Sequence, residues 1–331
     1  MKIEEKIKIA TEMNTFFIPK SDDIEGKYLK LLNEIKDCIK KLNKIIKENN
    51  INIKDENQII NLLTEFIQRY EHGLNALLAL SGMSYEKLYR IISFLRIMYK
   101  KGKYKSDSKW LKEDVWKKRK NKVIFSEWKE EEIKCKIKKD KSFAEDIVKI
   151  LLGKNDLINE QLSNFEKGQL LTIDKLLLSE DALIDTLVRY SLSGRYAASK
   201  GTIPENIVKN ILEELNIPYE RGKVKNVGRK IDFIIPSKDN PKIFIQITYT
   251  ETTSSGMGDK AKTERDTVRK NIKSKYKDAI FIIFVDGAGW LMREEALKIM
   301  CEAGDYIYTF HKKCLEEFRK LMKELKEKYN F

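Results

Sequence analysis

Three polar residues set into two otherwise apolar runs are the positions at which this chain could do chemistry. Asp232 interrupts Ile231-Asp232-Phe233-Ile234-Ile235, while Gln246 and Thr248 interrupt Ile243-Phe244-Ile245-Gln246-Ile247-Thr248-Tyr249. Short runs of β-branched and aromatic residues on either side of a polar turn read as a β-hairpin. The turn covers residues 236–242; if it is centred on Asp239, antiparallel pairing sets Asp232 opposite Gln246. Period-2 alternation then puts Thr248 on the same side as Gln246. A lone aspartate in a buried strand is costly unless it is paired or bound to a cation. Mg²⁺ takes oxygen ligands, so the Asp232 carboxylate and the Gln246 carbonyl could hold it. The chemistry such a face suits is metal-assisted phosphodiester hydrolysis, because a bound metal lowers the pKa of an attacking water.

The elements that must position this hairpin are also legible. Pro204 at the start of a helix, with Glu205 in its first turn, is what helix N-termini prefer, and dipole placement by itself accounts for a glutamate there. After the hairpin, residues 252–258 (Thr-Thr-Ser-Ser-Gly-Met-Gly) form a polar loop, followed by a basic helix from about 260 to 277. Ser254, Ser255 and Lys262 in this stretch are of the types that meet phosphates and base edges. Residues 281–290 close the region with an apolar strand running into Asp286-Gly287-Ala288-Gly289-Trp290.

Together these blocks resemble the PD-(D/E)XK nucleases, and within them type II restriction endonucleases of the DpnII/MboI type that cut GATC. Residues 201–215 look like the helix that brings a glutamate to the site. The hairpin looks like the Asp plus (Glu/Asp)-x-Lys core, and residues 281–290 resemble a core strand ending in a DGxGW turn. The likeness covers roughly residues 194–310. It implies an α/β (α+β) fold in which a helical N-terminal region precedes a nuclease-like core, a central mixed β-sheet flanked by helices. It also implies Mg²⁺ held by Asp232, Gln246 and Glu205, with Asp232, Gln246, Thr248, Glu205 and Lys260 as the catalytic set. Double-stranded DNA would be the substrate, a homodimer the working form, and a cognate DNA methyltransferase the companion in the host. Two positions depart from the pattern: Gln246 stands where an acidic ligand is usual, and Thr248 where lysine is usual. Lys260 or Lys262 would take the lysine's part, and Glu251 could swing toward the metal to supply charge. Two alternatives stay open on the same residues: a catalytically lapsed sequence-specific DNA-binding protein, and a structure-selective repair or junction nuclease.

Composition bounds the rest. The chain has 331 residues and a formal net charge of +14 from 65 basic and 51 acidic side chains, which favours a polyanionic partner. A Lys, Ile, Glu and Asn-rich composition also follows from low genomic GC content, so charge supports DNA binding without deciding it. Four cysteines without a CxxC pair fit reduced thiols and exclude a zinc ribbon. Only His72 and His311 are present, which excludes histidine-rich metal centres and HNH-type nucleases. No run of about 18 apolar residues appears, and a soluble cytoplasmic protein without membrane contact is expected.

Apolar residues recur at three and four from Glu4 to about Asn50, over 55–80, and over 143–191, predicting amphipathic helices. Residues 1–192 therefore read as a mainly helical region for DNA binding or dimerisation, and 193–331 as the catalytic core. Residues 78–92 are compatible with a helix-turn-helix in which Tyr85, Lys87 and Arg90 would contact DNA, or with plain bundle packing. Between 100 and 141, Trp110, Trp116 and Trp128 alternate with lysines, and Lys117, Lys118, Arg119 and Lys120 form the densest basic cluster. The segment reads either as a phosphate-contacting element or as a solvated face whose tryptophans enter the core.

Overall fold

The computed structural model describes residues 1–18, 21–48, 55–119, 122–225 and 227–331. The chain divides into two compact units, one formed by Met1–Ile24 with Ala197–Phe331 and the other by Glu25–Tyr196. The fold is mixed α+β, with the helical region preceding a sheet-bearing core as the sequence implies. The division is not contiguous, however, because the first residues belong with the sheet.

The amphipathic pattern from Glu4 to Asn50 is split into helices Ile3–Glu12 and Asp22–Glu48. The first helix closes at Met13, and Phe16 beyond it takes a left-handed φ of +59° that no helix continues through. Side-chain chemistry fixes where the first helix goes. Lys6 Nζ donates to the Gly304 carbonyl at 2.5 Å, Asn14 Nδ2 to the Gly287 carbonyl at 3.3 Å, and Thr15 gives both its N–H and its hydroxyl to Asp286. These bonds draw the N-terminus onto the sheet-bearing unit, at helix Glu294–Ala303 and the last strand.

The sheet of this unit contains five strands. A separate two-stranded ribbon in the other unit, β1 (Trp116–Arg119) with β2 (Lys122–Phe125), precedes them in the chain. The five are β3 (Glu220–Lys223), β4 (Lys230–Ile235), β5 (Ile243–Tyr249), β6 (Ile280–Asp286) and β7 (Tyr306–Tyr308), in spatial order β3-β4-β5-β6-β7. The first three form an antiparallel meander, and β6 and β7 add in parallel. Parallel neighbours need a crossover, here the basic stretch Met257–Lys275 between β5 and β6, which includes a π-helical turn at Glu264–Arg269. The apolar run of β6 is buried almost throughout because helices cover both faces. One core gathers Ile234, Phe244, Ala261, Val268 and Leu297; the other gathers Val208, Phe233, Ile245 and Phe318.

The Asp286-Gly287-Ala288-Gly289-Trp290 turn is a structural clamp. The Asp286 carboxylate is fully buried and accepts from Thr15, Gly287 and Phe310. Gly287 has φ +101°, and a Cβ there would lie 2.2 Å from the Thr250 carbonyl oxygen; one at Gly289 would lie 2.4 Å from that of Thr252. The glycines let this turn press against the chain leaving β5, which leads straight to helix Met257–Thr263.

The helical unit is built around Leu63, Leu77, Ile147 and Val148 and their neighbours. Trp110 and Trp128 are buried and Trp116 is 54% exposed, so the lysine–tryptophan segment sends two rings inward and one outward. Buried Arg96 anchors the base of the ribbon: its guanidinium stacks 3.9 Å from the Trp128 ring and donates to the carbonyls of Ser126 and Asp114. No helix among the described residues is long and apolar enough to cross a membrane.

Two outcomes follow. Gly287→Ala is expected to cost roughly 2 kcal/mol or more from left-handed strain plus the Thr250 clash, measured by urea unfolding. The thiols should also separate. Cys38, Cys301 and Cys314 are buried and Cys135 is exposed, with burial pushing Cys38 up to about 11 and Cys301 up to about 12. A thiol reagent at pH 8 should modify one cysteine per native chain and all four after denaturation.

Candidate active site

The site grows from an irregularity in β4. Pairing runs Glu220↔Ile234 and then Gly222↔Ile231, so three residues of β4 advance against two of β3. This β-bulge lets Ile231 and Ile234 face one core while Phe233 faces the other. On the opposite side, the ladder to β5 is formed from Phe233↔Ile245 to Ile235↔Ile243. Beyond it, the Asp232 carboxylate replaces a main-chain acceptor: Oδ2 takes the Ile247 N–H at 2.8 Å and the Gln246 side-chain Nε2 at 2.8 Å.

That contact dictates how Gln246 is oriented. A carboxylate can only accept, so the amide turns its NH₂ to Asp232 and its carbonyl away. Gln246 is 4% exposed, and its Oε1 is buried with no hydrogen-bond partner. A buried acceptor left unmade costs about 1–3 kcal/mol, and a hard cation is one thing that satisfies it. Thr248, 3% exposed, follows two residues on along β5 beside Val285 of β6. The hairpin thus joins Asp232 to Gln246, with Thr248 two residues farther along the same strand.

The crossover supplies the next layer. Half-buried Lys260 lies on helix Met257–Thr263, and Glu264, fully buried, opens the π-helical turn four residues later. Glu264 Oε1 accepts from Arg229 Nη1, and its Oε2 is buried without a partner. Burial pushes the Asp232 carboxyl up; the Ile247 N–H opposes this, the Glu205 charge adds to it, and Arg229 and Arg221 oppose it. Burial likewise raises Glu264, against the pull of Arg229 and Lys260, and the Asp232 charge raises it further. Lys260 is pushed down by burial and then by Arg229, while Glu264 and Asp232 act the other way. Two carboxylates are therefore held where burial disfavours their anions, and added positive charge would relieve both.

The remaining expected residues lie elsewhere. Glu205 sits in the first turn of helix Ile203–Glu214 and is ion-paired with Arg221 at 2.6 Å, whose guanidinium lies 4.7 Å from the Phe233 ring. Its charge is felt at Asp232, but its carboxylate is engaged by arginine. Glu251 accepts from the Ile18 N–H, Lys200 and Tyr249, so it does not swing toward Asp232. Ser254, Ser255 and Lys262 line a surface recess with Gly258, Met292 and Arg293. Lys117, Lys118 and Arg119 fall on strand β1 of the helical unit; Lys120 and these three side chains lie outside the described residues. Tyr85, Lys87 and Arg90 are spent within the protein, on Asn75, on Glu166 with Gln169, and on Glu86. His72 meets Glu34, and His311 caps helix Lys312–Tyr329. No group of three or more His, Cys, Asp or Glu side chains able to hold a metal occurs among the described residues. Any cation here would draw on the glutamine carbonyl as well as carboxylates. Glu264 and Arg229 were missed in the sequence; the one available signal was the four-residue spacing from Lys260, which sets both on one helical face.

Residues 192–329 match the family model of the BanI C-terminal domain. BanI is a type II restriction endonuclease, and the matched stretch contains β3 to β7, Asp232, Gln246, Lys260 and Glu264. The match supports the restriction-enzyme reading, whereas the likeness to DpnII and MboI finds no match of its own. No curated protein and no solved structure matches the chain significantly.

The Asp232–Gln246 contact carries a direct test. Gln246→Glu would set a second carboxylate beside one already disfavoured by burial. It should lose about 1–3 kcal/mol in EDTA at pH 8. Millimolar Mg²⁺ should recover most of that loss, read from paired urea melts.

Proposed function

We propose that this protein is a type II restriction endonuclease that hydrolyses double-stranded DNA at a short specific sequence with Mg²⁺. The observation that carries the reading is the buried, partnerless Gln246 carbonyl beside the Asp232 carboxylate, inside the stretch that matches a restriction-endonuclease family. The donor set fits a hard cation: one carboxylate and one orphaned amide oxygen, with no thiolate or imidazole beside them. Bound there, Mg²⁺ would supply a water of lowered pKa and neutralise charge on the scissile phosphate.

The chain's own groups do the rest. Asp232 presents a carboxylate whose second oxygen has no hydrogen-bond duty in the hairpin, and the Ile247 N–H holds its orientation. Gln246 offers a buried carbonyl oxygen without adding charge. Lys260, reached from the crossover helix, is the cation closest in role to the lysine that Thr248 replaces, and its depressed basicity suits it to orient an attacking water or hold a phosphate oxygen. Ser254 and Ser255 belong to the loop, and Lys262 to the last turn of the helix after it, that would follow the DNA backbone or a groove. Cutting both strands of a palindrome calls for a two-fold homodimer, and a host carrying such an activity needs a methyltransferase to protect its own sites.

The test is incubation of purified protein with unmethylated phage and plasmid DNA, in Mg²⁺ and in EDTA. Discrete fragments are expected in Mg²⁺ alone. Asp232→Ala should abolish them while keeping gel-shift affinity within a few-fold. Specific binding with intact DNA in every condition would assign the lapsed reading, and cutting of branched DNA in preference to linear duplex would assign the junction nuclease.

A further inference from the structure

Gln246 leaves the site one negative charge short of what a pair of acidic ligands would provide, and the structure contains a carboxylate able to make up the difference. We propose that Glu264 is the second carboxylate ligand of the divalent cation, and that Arg229 occupies it until the cation arrives. This rests on the reading of Asp232 as a cation ligand and adds to it a residue outside the hairpin.

Three observations carry it. Glu264 has no solvent exposure and cannot turn outward, and only one of its oxygens is engaged, by Arg229. Its other oxygen, Oε2, and Gln246 Oε1 are both buried without partners. Lys260 precedes Glu264 by four residues along the crossover, and the Asp232 charge acts on Glu264. Two carboxylates and an amide oxygen, two of them with orphaned acceptor atoms, would together offer an all-oxygen donor set of the kind that Mg²⁺ and Mn²⁺ take.

The Arg229 pair is unequal, and this decides which partner is exchangeable. The arginine side chain keeps 32% of its surface in solvent while the glutamate keeps none. Arginine can therefore leave for water, or for a DNA phosphate, with its charge hydrated throughout. Glutamate has no such route, and losing its ion-pair partner would leave a buried anion poorly compensated. A divalent ion at Glu264 would replace Arg229 and satisfy the free oxygen at the same time. A π-helical turn begins at Glu264, a distortion that often accompanies functional residues.

The experiment measures cation binding without DNA and without turnover: Mn²⁺ titration at pH 7.5, followed by the electron paramagnetic resonance signal of the free ion. The wild type, Asp232→Asn, Glu264→Gln, Arg229→Gln and the surface control Glu302→Gln are compared. Glu264→Gln and Asp232→Asn should each weaken Mn²⁺ binding at least tenfold, and Glu302→Gln should leave it unchanged. Arg229→Gln, which keeps an amide donor but frees the carboxylate of a competing charge, should tighten binding several-fold. Wild-type affinity in Glu264→Gln, with binding lost in Asp232→Asn, overturns this proposal and leaves the Asp232 site standing. No Mn²⁺ uptake by the wild type overturns the cation reading of that site and this proposal with it. If Glu264→Gln fails to fold, Arg229→Gln decides alone: tighter binding supports the assignment, and unchanged or weaker binding refutes it.

Discussion

The Asp232 carboxylate accepts the Ile247 amide at the point where β4 bulges away from its neighbour, and the arrangement of the site depends on that substitution of side chain for main chain. A regular ladder would have satisfied Ile247 with a backbone carbonyl and sent Asp232 wholly to one face. Beside the bulge, the aspartate feels Glu205 and Arg221 as well as Arg229. It also orients Gln246, because an anion admits only the donor end of the amide. The carbonyl that is left without a partner follows from the same contact.

Around this contact the fold behaves as a set of clamps. Asp286 and its glycines bind the N-terminal segment at Thr15 and press on the chain that leaves β5 at Thr250 and Thr252. That chain begins the crossover carrying Lys260 and Glu264. A motif that resembles a family signature therefore acts here through packing: its aspartate is saturated by donors from three directions and has no oxygen to offer a ligand. Lys6 and Asn14 reinforce the same join, which is why the first helix belongs with a sheet more than 200 residues later in the chain.

In the helical unit, the lysine–tryptophan segment divides along a simple line. Trp110 and Trp128 build core with Phe143, and Arg96 is buried against Trp128 to hold the chain that enters and leaves the ribbon. Lys117, Lys118 and Arg119 follow Trp116 along strand β1, and the Trp116 ring is exposed. Charge and aromatic content at the sequence level are shared between these two duties, and counting residues does not apportion them.

The hairpin, its register and the meeting of Asp232 with Gln246 could be read from the chain, because side-chain alternation and a turn of countable length are local properties. The helix break at Gly82 and the burial of β6 were legible for the same reason, whereas the break between Glu12 and Asp22 was not. Glu264 and Arg229 were not: a glutamate in a basic amphipathic helix looks solvated until the helix is laid across a sheet, and which of its faces turns inward depends on β5, β6 and the clamp at Gly287 together. Glu205 shows the converse. Its position in a first turn was evident, yet its partner, Arg221, is brought to it by β3, a strand whose edge pairing no local pattern specifies. Local periodicity decides which residues share a face, whereas long-range packing decides what that face meets, and it is the meeting that sets whether a carboxylate is spent on an arginine or left with an oxygen to bind a cation.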